Sequence, residues 1–157
     1  AIDLVGAREW YLKAAMRGEA YAQLNLYVLY RQNLGGAVDF GQLKAWVQGL
    51  KISSLKQYAH ASRGVPKRLV LELLEERKES GAMVELVDML LHGNDEVKDI
   101  AKAKEVMSRW SVEDIHVDQR EAYGALWNEI NITPIGGENK KRGANGESFA
   151  KQARRGL

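Results

Sequence analysis

Between Asp3 and Ile130 the apolar residues recur three and four positions apart, and no run alternates apolar with polar. That spacing predicts helices throughout and strands nowhere. Ala7, Trp10 and Ala14 share one face of a first helix, with Asp3 placed to cap its free amides. Gly18 ends that helix, because glycine tolerates the left-handed conformation of a C-terminal turn. Glu19 opens a second helix that runs to about Arg31. Small residues (Ala7, Ala14, Ala15, Ala20, Ala22) fall where two antiparallel helices would press together. Large ones (Trp10, Tyr11, Leu24, Tyr27, Tyr30) fall where the pair would cover a neighbour. A hairpin of this kind cannot bury its apolar face alone and needs others stacked beside it.

The rest of the chain repeats the theme loosely. Asp39 stands 36 residues after Asp3 and is followed by Leu43, Trp46 and Leu50 at the offsets of Ala7, Trp10 and Ala14. Ile52 to about Ser62 reads as a fourth helix, with Leu55, Tyr58 and Ala59 inward. After the break at Gly64 and Pro66, Leu69, Val70, Leu73 and Leu74 mark a helix to about Glu79. Setting Ser80-Gly81-Ala82 against the turn at Gly18 puts Ala82 on Ala20, Val84 on Ala22 and Leu86 on Leu24. That helix ends at His92-Gly93-Asn94. Asp99 offers a third cap before Ala103, Val106 and Trp110, and a last helix runs from near Asp118 to Ile130. Beyond it the period stops, and the glycine-rich, charged segment is expected to be a mobile tail with room for a short helix near Ser148 to Arg155. The expectation is therefore all-α: about eight helices in stacked antiparallel hairpins, an α-solenoid over 1–131, with a basic tail over 132–157.

Composition narrows the function classes. The apolar share of 45% suits a packed core. Net charge is +2, but six basic and two acidic residues from Gly136 to Leu157 give that end +4 and leave −2 on residues 1–135. Without cysteine there is no disulfide, thiolate zinc site or cysteine nucleophile. No apolar run reaches the roughly 20 residues that span a bilayer. The chain opens at Ala1, without Met, on residues that already read as helix, so N-terminal context is expected to be missing. The compartment stays open between bacterial cytoplasm and periplasm, and so does the oligomeric state.

The residues A-x-x-W-Y-x-K-A-A-x-x-G-x-A-x-A-Q-x-N-L-x-x-x-Y from Ala7 to Tyr30 resemble the Sel-one-like repeat, a relative of the tetratricopeptide repeat. The match rests on Ala7, Trp10, Tyr11, Lys13, Ala14, Ala15, Gly18, Ala20, Ala22, Leu24 and Tyr30 and covers about one repeat. The copies near Asp39, Leu69 and Asp99 are degenerate. The resemblance implies a solenoid that acts as an adaptor or scaffold for other proteins. Its defining positions are packing positions and bring no catalytic role.

Candidate chemistry is sparse. No two of His60, His92 and His116 have the spacing of a helical metal pair, and Asp95 and Glu96 near His92 read as a polar loop. There is no nucleophile elbow, and Gly136-Gly137 with Lys140-Lys141 lacks the context of a phosphate loop. Neither cofactor nor metal is expected, and an enzyme with a site in the groove has no positive support. Trp10, Trp46, Trp110 and Trp127 read as core, and the run Glu72, Glu75, Glu76, Arg77, Lys78, Glu79 as a solvated face. The leading function is a non-enzymatic protein-interaction module that holds a partner protein or peptide in a repeat groove. Arg8, Tyr11 and Arg17 on the first helix and Lys44 and Gln48 on the third would line that groove and favour acidic residues. The alternative is nucleic-acid binding through Lys140, Lys141, Arg142, Arg154 and Arg155 of the tail.

Overall fold

The computed structural model describes residues 4–34 and 39–132. Eight α-helices follow one another: α1 (Leu4–Met16), α2 (Ala20–Arg31), α3 (Phe40–Gln48), α4 (Ile52–Ala61), α5 (Gly64–Glu76), α6 (Ser80–His92), α7 (Ile100–Ser108) and α8 (Arg120–Ile132). Two 3-10 turns, Val112–Asp114 and Val117–Gln119, precede α8. Among the described residues there is no strand, so the all-α expectation of stacked hairpins holds. The expected tail, its basic residues and the Asp3 cap lie outside the described residues.

The chain divides into two compact units, 1–74 and 75–157. The division falls in the last turn of α5. Each unit is organised on one central helix. In the first, α2 packs against α1, α3 and α4; in the second, α6 packs against α7 and α8.

The helices α1 to α4 and α5 to α8 follow one plan at a shift of 60 residues. Leu4 corresponds to Gly64, Ala20 to Ser80 and Phe40 to Ile100 as helix starts. The fourth pair is shifted by 68, from Ile52 to Arg120, because two 3-10 turns are inserted before α8. The α1–α2 and α5–α6 turns are built alike. Gly18 has φ 89° and Lys78 has φ 64°, the left-handed region. The amide of Gly18 donates to the Ala15 carbonyl at 2.9 Å, and that of Lys78 to Glu75 at 3.0 Å. Glu19 and Glu79 follow in extended conformation as N-caps. Ala82 therefore stands on Ala22, and Leu86 on Leu26, all four buried. The register taken from the sequence is two residues off. It treats Gly81 as the turn residue, whereas Lys78 makes the turn and Gly81 lies inside α6.

In the first unit the core gathers Ala15, Ala22, Leu26 and Leu43, flanked by Tyr11, Leu12, Ala14, Tyr30 and Trp46. The buried side chain of Gln23 donates to the Ala15 carbonyl at 3.0 Å and ties α2 to α1. Trp10 is not core: it is 74% exposed. The inward stripe of α1 is centred on Tyr11 and Ala15, one turn apart, and Trp10 lies about 100° round from Tyr11. The same displacement recurs in α3, where Leu43 and Val47 are buried and Trp46 only half-buried. Trp110 is buried as expected, and Trp127 half-buried. Of the three caps, Asp99 accepts the Lys102 amide at 2.9 Å, while Asp39 occupies the N-cap position without a side-chain bond. The charge run after Glu72 is also only partly solvated, since Glu75 is 4% exposed.

Candidate functional site

The residues predicted to line a groove in the first unit lie on α1, on the turn after it and on α3. Tyr11 is half-buried with its ring against the core, so it is a packing residue. Arg8 is half-buried on α1, and Arg17 is exposed in the turn that follows. Lys44 and Gln48 are exposed one turn apart on α3. The Lys44 ammonium lies 5.9 Å from the centre of the Phe40 ring. Phe40 stacks on Tyr30 at 5.0 Å, and Arg31 covers Tyr27 at 5.8 Å. The surface at α2 and α3 is thus an aromatic cluster topped by two cations. Sequence reasoning missed Phe40 because it lies outside the face that begins at Leu43.

The seam between the second and fourth helices differs sharply between the units. In the first, two rings lie across it, Tyr58 buried and Tyr21 60% exposed. The Tyr21 and Tyr58 rings meet at 5.0 Å, and the Tyr58 hydroxyl donates to Asn25 Oδ1 at 2.7 Å. In the second, Gly81 stands where Tyr21 stands and Glu85 where Asn25 stands, by the 60-residue shift. Leu126 takes the place of Tyr58, six residues into its helix. An open groove of about 520 Å³ lies along this seam. Its apolar floor is Gly81, Val84, Ala122, Ala125 and Leu126. Glu85, Asp88 and Gln119 supply its polar edge.

Asp88 of this groove is also bonded to a histidine. His92 Nδ1 lies 2.8 Å from Asp88 Oδ1, and Nε2 lies 2.7 Å from Glu129 Oε1, so the ring bridges α6 and α8. The bond to Asp88 first, then that to Glu129, raises the imidazole above its ordinary value of 6.5. A raised value in the folded state favours folding most below the unfolded value, and the benefit fades as pH rises through the folded one. We expect His92→Gln to lower the urea midpoint at about pH 5.5 and to change it little at about pH 9. Equal loss at both would show that the bridge acts without its charge. Both carboxylates are solvated, so the effect is that of a surface pair, under about 1 kcal/mol.

Among the described residues no group of three or more His, Cys, Asp or Glu side chains is placed to hold a metal ion. No described helix is long and apolar enough to cross a membrane. Comparison with protein-family models, curated proteins and solved structures finds no match.

Proposed function

We propose that the chain is a non-enzymatic protein-interaction module, an adaptor or regulator built like Sel-one-like repeats, and that its α6–α8 groove receives a peptide segment from a partner protein. The observation that carries this reading is the α6–α8 groove, which lies at the place where the Tyr21 and Tyr58 rings meet in the first unit. The first seam serves as a template for the guest. An aromatic side chain fits over the small residues Gly81, Ala122 and Ala125. A basic neighbour then meets the carboxylates of Glu85 and Asp88. The guest preferred by this groove is aromatic and basic, unlike the acidic peptide expected from Arg8, Tyr11 and Lys44, because Tyr11 is occupied in packing.

Displayed peptides of about a dozen residues, selected on the chain, test the proposal. An aromatic residue flanked by Lys or Arg should be enriched. Gly81→Tyr, which restores the ring present in the first unit, should weaken the selected peptides at least about tenfold, a loss of about 1.4 kcal/mol. A Cβ at Gly81 would meet only the end of the flexible Gln119 side chain, at an ordinary 3.9 Å. Peptides that bind the wild type and Gly81→Tyr equally would overturn the reading.

A further inference from the structure

We infer that the α6–α8 groove receives the exposed face of α1 from a second copy of this chain, so that copies associate head to tail. This rests on the preceding reading of the groove and names a partner for it.

The guest face is set by α1. Of the seven large apolar side chains left exposed among the described residues, Val5, Trp10 and Met16 stand on this helix. The stripe of Tyr11 and Ala15 is spent on the core, and Trp10, 74% exposed, lies beside it in water. Lys13 follows Trp10 by one turn and Arg17 stands in the turn after the helix, both exposed. An indole beside two cations is thus held on a helix that is already ordered, so docking costs little conformational entropy. The acceptor is a groove whose floor at Gly81, Ala122 and Ala125 carries nothing larger than a methyl group. A helix laid along such a groove with one aromatic anchor is a recurrent mode of recognition.

Charge selects the second copy. Ten basic and five acidic residues give residues 1–74 a net +5. Seven basic and fourteen acidic residues give residues 75–135 a net −7, and with the +4 of residues 136–157 the second unit is still at −3. Glu121 adds an exposed carboxylate on α8, one turn before Ala125. The basic unit of one copy is therefore drawn to the acidic unit of another. Guest and groove are different surfaces, so the contact is heterologous and propagates into rings or open chains.

Sedimentation equilibrium of the full chain tests this. At about 0.05 M salt, where exposed charges act over more than about 10 Å, the average mass of the wild type should rise with concentration past that of a dimer. It should fall back towards the monomer at about 0.5 M salt. Trp10→Ala, at an exposed position, and Gly81→Tyr should each weaken association at least about tenfold. Mixed in equal amounts, the two variants should form a heterodimer and nothing larger, because one keeps only the groove and the other only the guest. A wild type that stays monomeric at every concentration, as it would if Trp10 entered the groove of its own chain, would overturn the inference. So would variants that associate as the wild type does, or a mixture that fails to pair. In those cases selected peptides that still depend on Gly81 leave the groove reading standing. Peptides indifferent to Gly81 would instead defeat that reading itself, so the two failures are separable.

Discussion

Glu75→Ala is expected to destabilise the chain by about 3 kcal/mol, read as a lower urea midpoint. Glu75 is 4% exposed, and its carboxylate is the hub of three bonds. Arg109 donates twice, at 3.2 and 3.1 Å, and the indole N–H of Trp110 once, at 2.9 Å. These bonds also hold the Arg109 guanidinium more firmly protonated. Without the carboxylate, the buried Trp110 keeps a donor with nothing to receive it, and Arg109 loses its inner partner. Arg109 itself is 40% exposed and can turn to Glu105, which already accepts from it at 2.9 Å. The cost therefore falls at the low end of the range for a broken buried pair. The first unit shows the alternative solution. At the equivalent positions stand Ala15 and Leu50, an apolar pair with no donor to satisfy. Glu75→Ala combined with Trp110→Leu should thus cost less than the sum of the two single changes. Strict additivity, or an unchanged midpoint for Glu75→Ala, would show that the buried carboxylate is dispensable.

That same cluster marks the boundary of what the sequence discloses. Helix number and most helix ends follow from local spacing and caps, and Leu55, Tyr58, Leu69 and Ala103 lie buried where the period places them. Glu75, by contrast, sits in a run of charges and looks solvated until Trp110, 35 residues later, is brought against it. Periodicity assigns a residue to a face but does not reveal which face a neighbour covers. Trp10 fails for that reason: the spacing puts it on a stripe, and the neighbouring helices cover the adjacent stripe of Tyr11 and Ala15. The shift of 60 residues was hidden by a chemical substitution at the turn. Glycine signals positive φ, and Lys78 adopts it at φ 64° without that signal. Its ammonium lies 5.1 Å from the Trp110 ring, a contact that helps offset the backbone cost. The groove was invisible for a different reason. It consists of side chains that are missing, and Gly81 is a vacancy only when set against Tyr21 in the right register. The residues that the sequence did propose, Arg8, Arg17, Lys44 and Gln48, lie on α1, on the turn after it and on α3.

If the two seams are variants of one design, emptying the first should be costly and should create a second groove. Tyr58→Ala is expected to lower stability by about 3 kcal/mol. Tyr58 is 5% exposed, its ring packs on Tyr21 and its hydroxyl donates to Asn25. Tyr58→Phe keeps the ring and loses one hydrogen bond, so its cost should be about 1 kcal/mol. The two variants separate filling from hydrogen bonding. A further signature comes from pH. Burial foremost, with the neighbouring Tyr21 and Tyr11 next, pushes the Tyr58 hydroxyl from 10 up to about 12. The stability linked to its neutral form is complete below the unfolded value of 10 and is lost as pH rises through about 12. Tyr58→Phe should therefore be less sensitive than the wild type across that alkaline window. In the second unit Leu126, at the place of Tyr58, is 8% exposed and has no hydroxyl, and the bond between the two helices is instead that of His92 to Glu129. If Tyr58→Ala proves as stable as Tyr58→Phe, the ring is not what closes the first seam. The comparison that identifies the second as a vacant aromatic site would then lose its template.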